Sequence, residues 1–286
     1  MDRTLTGWGS GGLGVLIFSG SLPATRVAVA EFEPLFLTSA RAVIAALLGI
    51  LCLAVLRQNR PERGDLVALA VVALGVVIGF PLLTALALQS ITAARSIVFI
   101  GLLPLSTALF AVIRGGERPK PAFWLFSLLG AGTVSGFALT HSASGALRGD
   151  LWMLAAIAVC GLGYAEGATL SRRLGGWQVI SWALLIACPV MMSVMLVTWP
   201  ETLARISPAA WASLGYVGVF SMMLGFVFWY RGLALGGIAQ VGQLQLLQPF
   251  FGFLLASLFL HEAIAWPMIA CTGLTVLCVA GARQFA

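Results

Sequence analysis

Charge is what this sequence has least of. Asp, Glu, Lys and Arg make up 9% of its 286 residues, against about 25% in an ordinary soluble domain. Apolar residues reach 60%, and the mean hydropathy is +1.02. A single aqueous core cannot hide that much apolar surface, so the chain reads as a membrane protein. Metal-binding and catalytic signatures are missing too. The two histidines, His141 and His261, fall at span ends, unpaired in sequence. The five cysteines sit in apolar runs without a CxxC pair and read as small core residues. No Ser-His-Asp arrangement appears, and the glycine-rich GWGSGGLG precedes no P-loop lysine, which argues against an ATP site. The net charge of +6 is not gathered into a basic face, so nucleic acid is not an expected partner. No enzyme activity and no cofactor are expected.

What is present is a series of long, continuous apolar runs. They are about 20 residues each, the length of a membrane-spanning helix rather than of a barrel strand. Windows place ten spans at about 9–29, 34–55, 66–88, 93–113, 122–140, 151–171, 177–198, 209–230, 237–260 and 264–282. The intervening segments are short and leave no room for a soluble domain. With the N-terminus inside, the cytoplasmic segments hold 11 basic residues: Arg3, Arg57, Arg60, Arg63, Arg114, Arg118, Lys120, Arg172, Arg173, Arg231 and Arg283. The outer segments hold 4, namely Arg26, Arg95, Arg148 and Arg205. That bias predicts both termini in the cytoplasm. The first 30 residues resemble a signal peptide in having Arg3, an apolar run and the small-residue site at Ala28–Ala30. Asp2 and the glycines and proline within the run argue instead for a retained first span.

The sequence repeats. Pro104, Glu117 and Gly136 match Pro249, Glu262 and Gly281, all at an offset of 145. Trp8, Val15, Ala24 and Thr25 match Trp152, Val159, Ala168 and Thr169 at 144, and Gly79-Phe80 matches Gly225-Phe226 at 146. Residues 1–145 and 146–286 thus read as two five-helix halves. Five is odd, so the halves cross the membrane in opposite senses. The expected fold is an all-α integral membrane protein of ten helices in two inverted repeats, an arrangement suited to alternating access around a midplane site.

The segments ALQSITAARSIVFIGLLPLSTALFAVIRGGERP and GLALGGIAQVGQLQLLQPFFGFLLASLFLHEAI both resemble the EamA-type repeat of the drug/metabolite transporter superfamily. The shared pattern is a small-residue helix start, a mid-helix proline and a Glu about 13 residues on. IACTGLTVLCVAGA resembles the last helix of that repeat, and LFLTSARAVIAALL, with Arg41, its second. GSLPATR and GGERPKP depart from the pattern. The resemblance implies a ten-helix inner-membrane exporter of metabolites. The aromatic and amide content leans toward the YddG-type exporters of aromatic and other neutral amino acids. Expected partners are the small-molecule substrate and the lipid bilayer, with the chain acting as a monomer.

The candidate site begins with amides in an oily span. At 100° per residue, Gln240, Gln243, Gln245 and Gln248 spread over an arc of about 200°, too wide for a lipid-facing helix. An amide offers donors for a carboxylate and acceptors for an ammonium, although hydrogen bonding between helices is the plainer reading. Pro249 removes a backbone donor and frees a carbonyl near Gln245. Glu166, a carboxylate well inside a span, binds an ammonium, carries a proton or pairs with Arg172 or Arg173. Tyr164 lies beside it. Phe80, Phe99 and Phe226 are cavity-wall or packing residues, and Ser19 and Ser21 flank a proline-bearing break in span 1. Thr84 and Tyr230 complete the set. Arg41 reads as structural, snorkelling outward or pairing with Glu31 or Glu33. Glu117 and Glu262 read as caps on neighbouring helix ends. The cavity is expected between the halves, lined by spans 1, 3, 4, 6, 8 and 9. A proton-coupled exporter of lipophilic cations is the alternative within transport; a lipid enzyme would show clustered acidic or His residues at one interface, which the sequence lacks, and a receptor or scaffold has no comparable need for the inverted repeat.

Overall fold

A computed structural model of the chain describes residues 3–58, 60–115, 120–140, 146–236 and 241–285. All regular elements among them are helical. Helix α1 (Arg3–Ser19) gives way at Gly20 to α2 (Ser21–Ala28). Pro34, in the first turn where no donor is needed, opens α3 (Pro34–Val55). The next helix, α4 (Asp65–Val72), passes through a π-helical stretch, Ala73–Gly79, into α5 (Phe80–Leu88). A turn at Gly101–Leu102 divides α6 (Ala93–Ile100) from α7 (Leu103–Gly115). Then follow α8 (Pro121–Thr140), α9 (Ala146–Leu174) and α10 (Gly176–Val197). Helix α11 (Pro208–Gly215) also passes through a π-helical stretch, Tyr216–Leu224, into α12 (Gly225–Gly236). A 3-10 stretch, Gly242–Leu247, leads into α13 (Gln248–Leu260), and α14 (Trp266–Arg283) closes the chain.

Among the described residues, seven helices are long and apolar enough to cross a membrane: Pro34–Val55, Asp65–Leu88, Ala93–Ile113, Pro121–Thr140, Ala146–Leu174, Gly176–Val197 and Pro208–Gly232. Leu244–Leu260 and Trp266–Ala282 are apolar but shorter. The exterior is oily: Leu128, Leu139, Phe259 and Trp266 are each at least 70% exposed. So much outward apolar surface suits lipid rather than water.

Small residues let the helices touch. Helix α1 packs along α12, where a Cβ on Gly232 would stand 2.6 Å from the Gly11 Cα. Helix α9 packs on α4, the first π-helical stretch and α5, where a Cβ on Gly75 would stand 2.5 Å from the Val159 carbonyl oxygen. Helix α3 packs on α10, α8 on α14 and α7 on α9. Such small-residue contacts are how helices associate where lipid removes the hydrophobic drive.

Polar ties hold the helix ends. The Glu262 carboxylate accepts from the backbone N–H groups of Ala93 at 3.1 Å and Ala94 at 2.7 Å, capping α6 as its position suggested. Glu117 lies outside the described residues. Arg95 pairs with Asp150, both buried, through Nε–Oδ1 at 2.8 Å and Nη2–Oδ2 at 2.6 Å. Arg173 pairs with Asp65, and Arg26 donates to the Leu88 carbonyl.

Candidate functional site

The helix interruptions gather at the centre of the bundle. The break at Gly20, both π-helical stretches, the turn before Leu103 and the start of α13 all face a small cavity. Residues on its wall include Phe18, Ser21 and Leu22 near that break, Val76, Phe80 and Pro81, Ile100 and Leu103, Cys160 and Tyr164, Ser221, Met222 and Phe226, and Gln248. Helix α3 adds Arg41. Interruptions of this kind expose backbone and re-aim side chains, and the surrounding protein makes them tolerable inside a membrane.

Three of the polar lining residues, Ser21, Ser221 and Arg41, are linked to one another. Ser21 Oγ and Ser221 Oγ are 2.7 Å apart. Arg41 Nη2 donates to Ser221 Oγ at 3.4 Å, and Arg41 Nε has no hydrogen-bond partner. Gln248 Oε1 is also without a partner. Aromatic rings share the wall. Phe18 meets Phe226 edge-on with centroids 4.9 Å apart, and Tyr164 meets Phe226 at 6.0 Å, nearly perpendicular. The cavity measures about 30 Å³, room for one or two waters. An amino acid does not fit unless the helices part.

The sequence candidates divide into three groups. Ser21, Phe80, Tyr164, Phe226 and Gln248 line the cavity. Ser19 lines an adjoining void of about 10 Å³ with Gln248 and Pro249, and donates to the carbonyls of Val15 at 2.7 Å and Gln248 at 3.3 Å. The others are absent from the cavity wall. Gln245 is buried with its Nε2 unpartnered. Thr84 turns its hydroxyl onto its own helix, donating to the Phe80 and Pro81 carbonyls. Phe99 is enclosed in the core at 0% exposure. Tyr230 is buried beside Phe226, with centroids 5.5 Å apart. Glu166 is buried on α9. Gln243 belongs to the 3-10 stretch, but its side chain, like all of Gln240, lies outside the described residues.

Two expectations are corrected. Arg41 neither snorkels nor pairs with Glu31 or Glu33. It is buried at 4% exposure on the cavity wall, while Glu31 accepts from Ser207 instead. The Gln245 carbonyl is not left free by Pro249, because the tighter 3-10 geometry brings the Gln248 N–H onto it. Sequence reasoning also missed Ser221 and Phe18. The signal for Arg41 was present: a charge inside a span is a functional candidate by default.

Comparison with known proteins agrees with this architecture. A solved crystal structure superposes with a TM-score of 0.67 over 99% of each chain at 19% identity, which speaks to fold alone. The Bacillus subtilis (strain 168) protein described as uncharacterized transporter YdeK is 60% identical over 286 residues, covering all of both chains. A probable terminal-alkyne amino-acid exporter of Streptantibioticus cattleyicolor is 25% identical over 253 residues, 87% of this chain and 84% of that one. The EamA-like transporter family matches residues 9–139 and 147–283. With those two matches spanning nearly all of its length, this membrane-embedded chain belongs to the EamA-like transporter family.

Proposed function

We propose that the chain is a secondary exporter of neutral and aromatic amino acids across a bacterial-type inner membrane. It works by alternating access of two inverted five-helix halves, 1–145 and 146–286, with ten crossings and both termini in the cytoplasm. It acts as a monomer, without a cofactor.

The observation that carries the reading is the central cavity. Its wall carries both aromatic side chains (Phe18, Phe80, Tyr164, Phe226) and polar ones (Ser21, Ser221, Gln248), drawn from both halves. An amphipathic zwitterion presents the matching pair of surfaces.

The packing supports the inverted repeat. If the halves are related by a two-fold axis in the membrane plane, each contact in one half has a counterpart. The packing of α1 on α12 corresponds to that of α9 on α5, and α7 on α9 corresponds to α13 on α1. The pairs α3–α10 and α8–α14 map onto themselves. A π-helical stretch precedes Phe80 in one half and Phe226 in the other. Pro104 and Pro249 each stand second in the helix that follows an interruption. The amino-acid exporter among the relatives supports the substrate class.

Counterflow tests the proposal. Liposomes holding the full-length protein and loaded with unlabelled phenylalanine are expected to accumulate labelled phenylalanine, with leucine and other neutral amino acids competing. No counterflow of any amino acid above protein-free liposomes would reject it.

A further inference from the structure

We infer that Arg41 is the carboxylate anchor of the central cavity, and that the site selects organic monocarboxylates over amines. The inference rests on the export reading in taking this cavity for the transport site.

A buried charge is ordinarily paired, since desolvating it alone is unfavourable. Arg41 is buried on the cavity wall, yet no carboxylate lies within ion-pair distance of it among the described residues. Its one hydrogen bond is long, 3.4 Å to a neutral serine, and its Nε has no partner at all. The nearest acids in sequence are committed elsewhere or outside: Glu31 is held by Ser207, and Glu33 precedes α3 in an exposed turn. The guanidinium is thus half of an ion pair whose other half is missing. A guanidinium offers a planar fork that fits a carboxylate through two parallel N–H···O bonds.

The neighbours fit the same ligand. Ser21 and Ser221 share one hydroxyl contact at 2.7 Å, so one of the two protons is free to turn toward an anion. Among the described residues the cavity wall carries one cation and no acid, which matches a single negative charge; a dianionic phosphate would be left half-compensated. Phe226 and Tyr164 face the same space and suit an apolar side chain. This polarity disfavours the alternative of a lipophilic-cation exporter, because a cationic substrate would enter beside Arg41 with no acid among the described wall residues.

Two measurements on the purified full-length chain test the inference. The first is thermal stability with 3-phenylpropanoate, phenylalanine, phenylalaninamide or phenethylamine. Wild type is expected to be stabilised by the two carboxylates and not by the two amines, and Arg41→Gln is expected to lose that response. Equal shifts with phenethylamine and 3-phenylpropanoate, no shift with any carboxylate, or a carboxylate shift retained in Arg41→Gln would each overturn it. Should Arg41→Gln not fold, the wild-type panel and Arg41→Lys decide; Arg41→Lys should keep the carboxylate preference with weaker binding. The second is phenylalanine counterflow, where Arg41→Gln should raise half-saturation about tenfold or more, the scale of one lost charge-assisted hydrogen bond. Arg41-dependent carboxylate binding without wild-type counterflow would uphold the anchor and refute export. Normal counterflow by folded Arg41→Gln would refute the anchor and leave export standing.

Discussion

Glu262 caps a helix that begins 169 residues before it, its carboxylate 2.7 Å from the backbone nitrogen of Ala94. The first-turn N–H groups of a helix have no partner within it, and the positive end of the helix dipole favours an anion there. Glu262 meets both needs and fastens the end of α13 to the start of α6. Loss of an N-cap costs about 0.5–2 kcal/mol. Glu262→Ala is therefore expected to lower thermal stability in detergent, and Glu262→Gln, which keeps an acceptor but no charge, to fall between. Wild-type stability in Glu262→Ala would show the contact to be idle.

Arg95 and Asp150 form a bidentate, buried pair. Removing one member of such a pair costs about 3–5 kcal/mol, whereas replacing both with apolar residues is often neutral or better. Asp150→Asn is expected to reduce the yield of folded protein, and Arg95→Met with Asp150→Leu to recover most of it. If the double variant is no better than Asp150→Asn, the pair is required for more than its own desolvation.

Gly11 and Gly232 meet backbone to backbone, while Gly12, one residue on, has nothing within 4 Å of where a Cβ would lie. Gly232→Ala should force α1 and α12 apart at about 1–3 kcal/mol, the usual scale of overpacking. Gly12→Ala should be neutral or stabilising by up to about 1 kcal/mol through helix propensity. Unfolding temperatures of the two variants test the contrast, and equal effects would refute the close approach.

Glu31 accepts from the Ser207 hydroxyl and the Ser207 N–H, each at 2.6 Å, tying the α2–α3 turn to the start of α11. Those bonds hold its carboxyl below the usual carboxylate range, the hydroxyl contributing most. A folded-state value lower than the unfolded one means stability that is fully present above the unfolded value and lost as pH falls through the folded one. The stability difference between wild type and Glu31→Gln should therefore be constant near neutrality and shrink in acid. A difference that grows in acid would contradict the assignment.

Much of the fold was legible because apolar length and the Pro–Glu–Gly spacing are direct consequences of a lipid solvent and a duplicated unit. Glu262 was readable as a cap for that reason. The π-helical stretches were not, since slipping one hydrogen-bond register leaves the apolar composition unchanged. Between cavity wall and packing, Phe99 could not be decided from sequence because every residue of α6 is buried. A helix enclosed on all sides has no polar face to show which side meets the cavity. Arg41 was misread through depth. Helix α3 starts at Pro34, which places Arg41 about 10 Å along the axis, a long reach for snorkelling.

Gln248 tests whether the amides of the oily span serve the substrate or merely join helices. It lines the cavity with Oε1 unpartnered, whereas Gln245 is buried away from the described cavity wall with Nε2 unpartnered. A side-chain hydrogen bond between membrane helices contributes on average about 0.6 kcal/mol, so either alanine variant should fold nearly as well as wild type. A hydrogen bond to a charged ligand group is worth about 1.5–3 kcal/mol, a factor of about ten or more in transport at limiting substrate. Gln248→Ala and Gln245→Ala are both expected to reduce phenylalanine counterflow per folded molecule, Gln248→Ala the more. The loss should be larger for phenylalanine than for an uncharged analogue, because only the zwitterion leaves a charge poorly solvated when the amide is gone. Normal transport by both variants, or losses that follow folding alone, would make the glutamines ties between helices and remove them from the site.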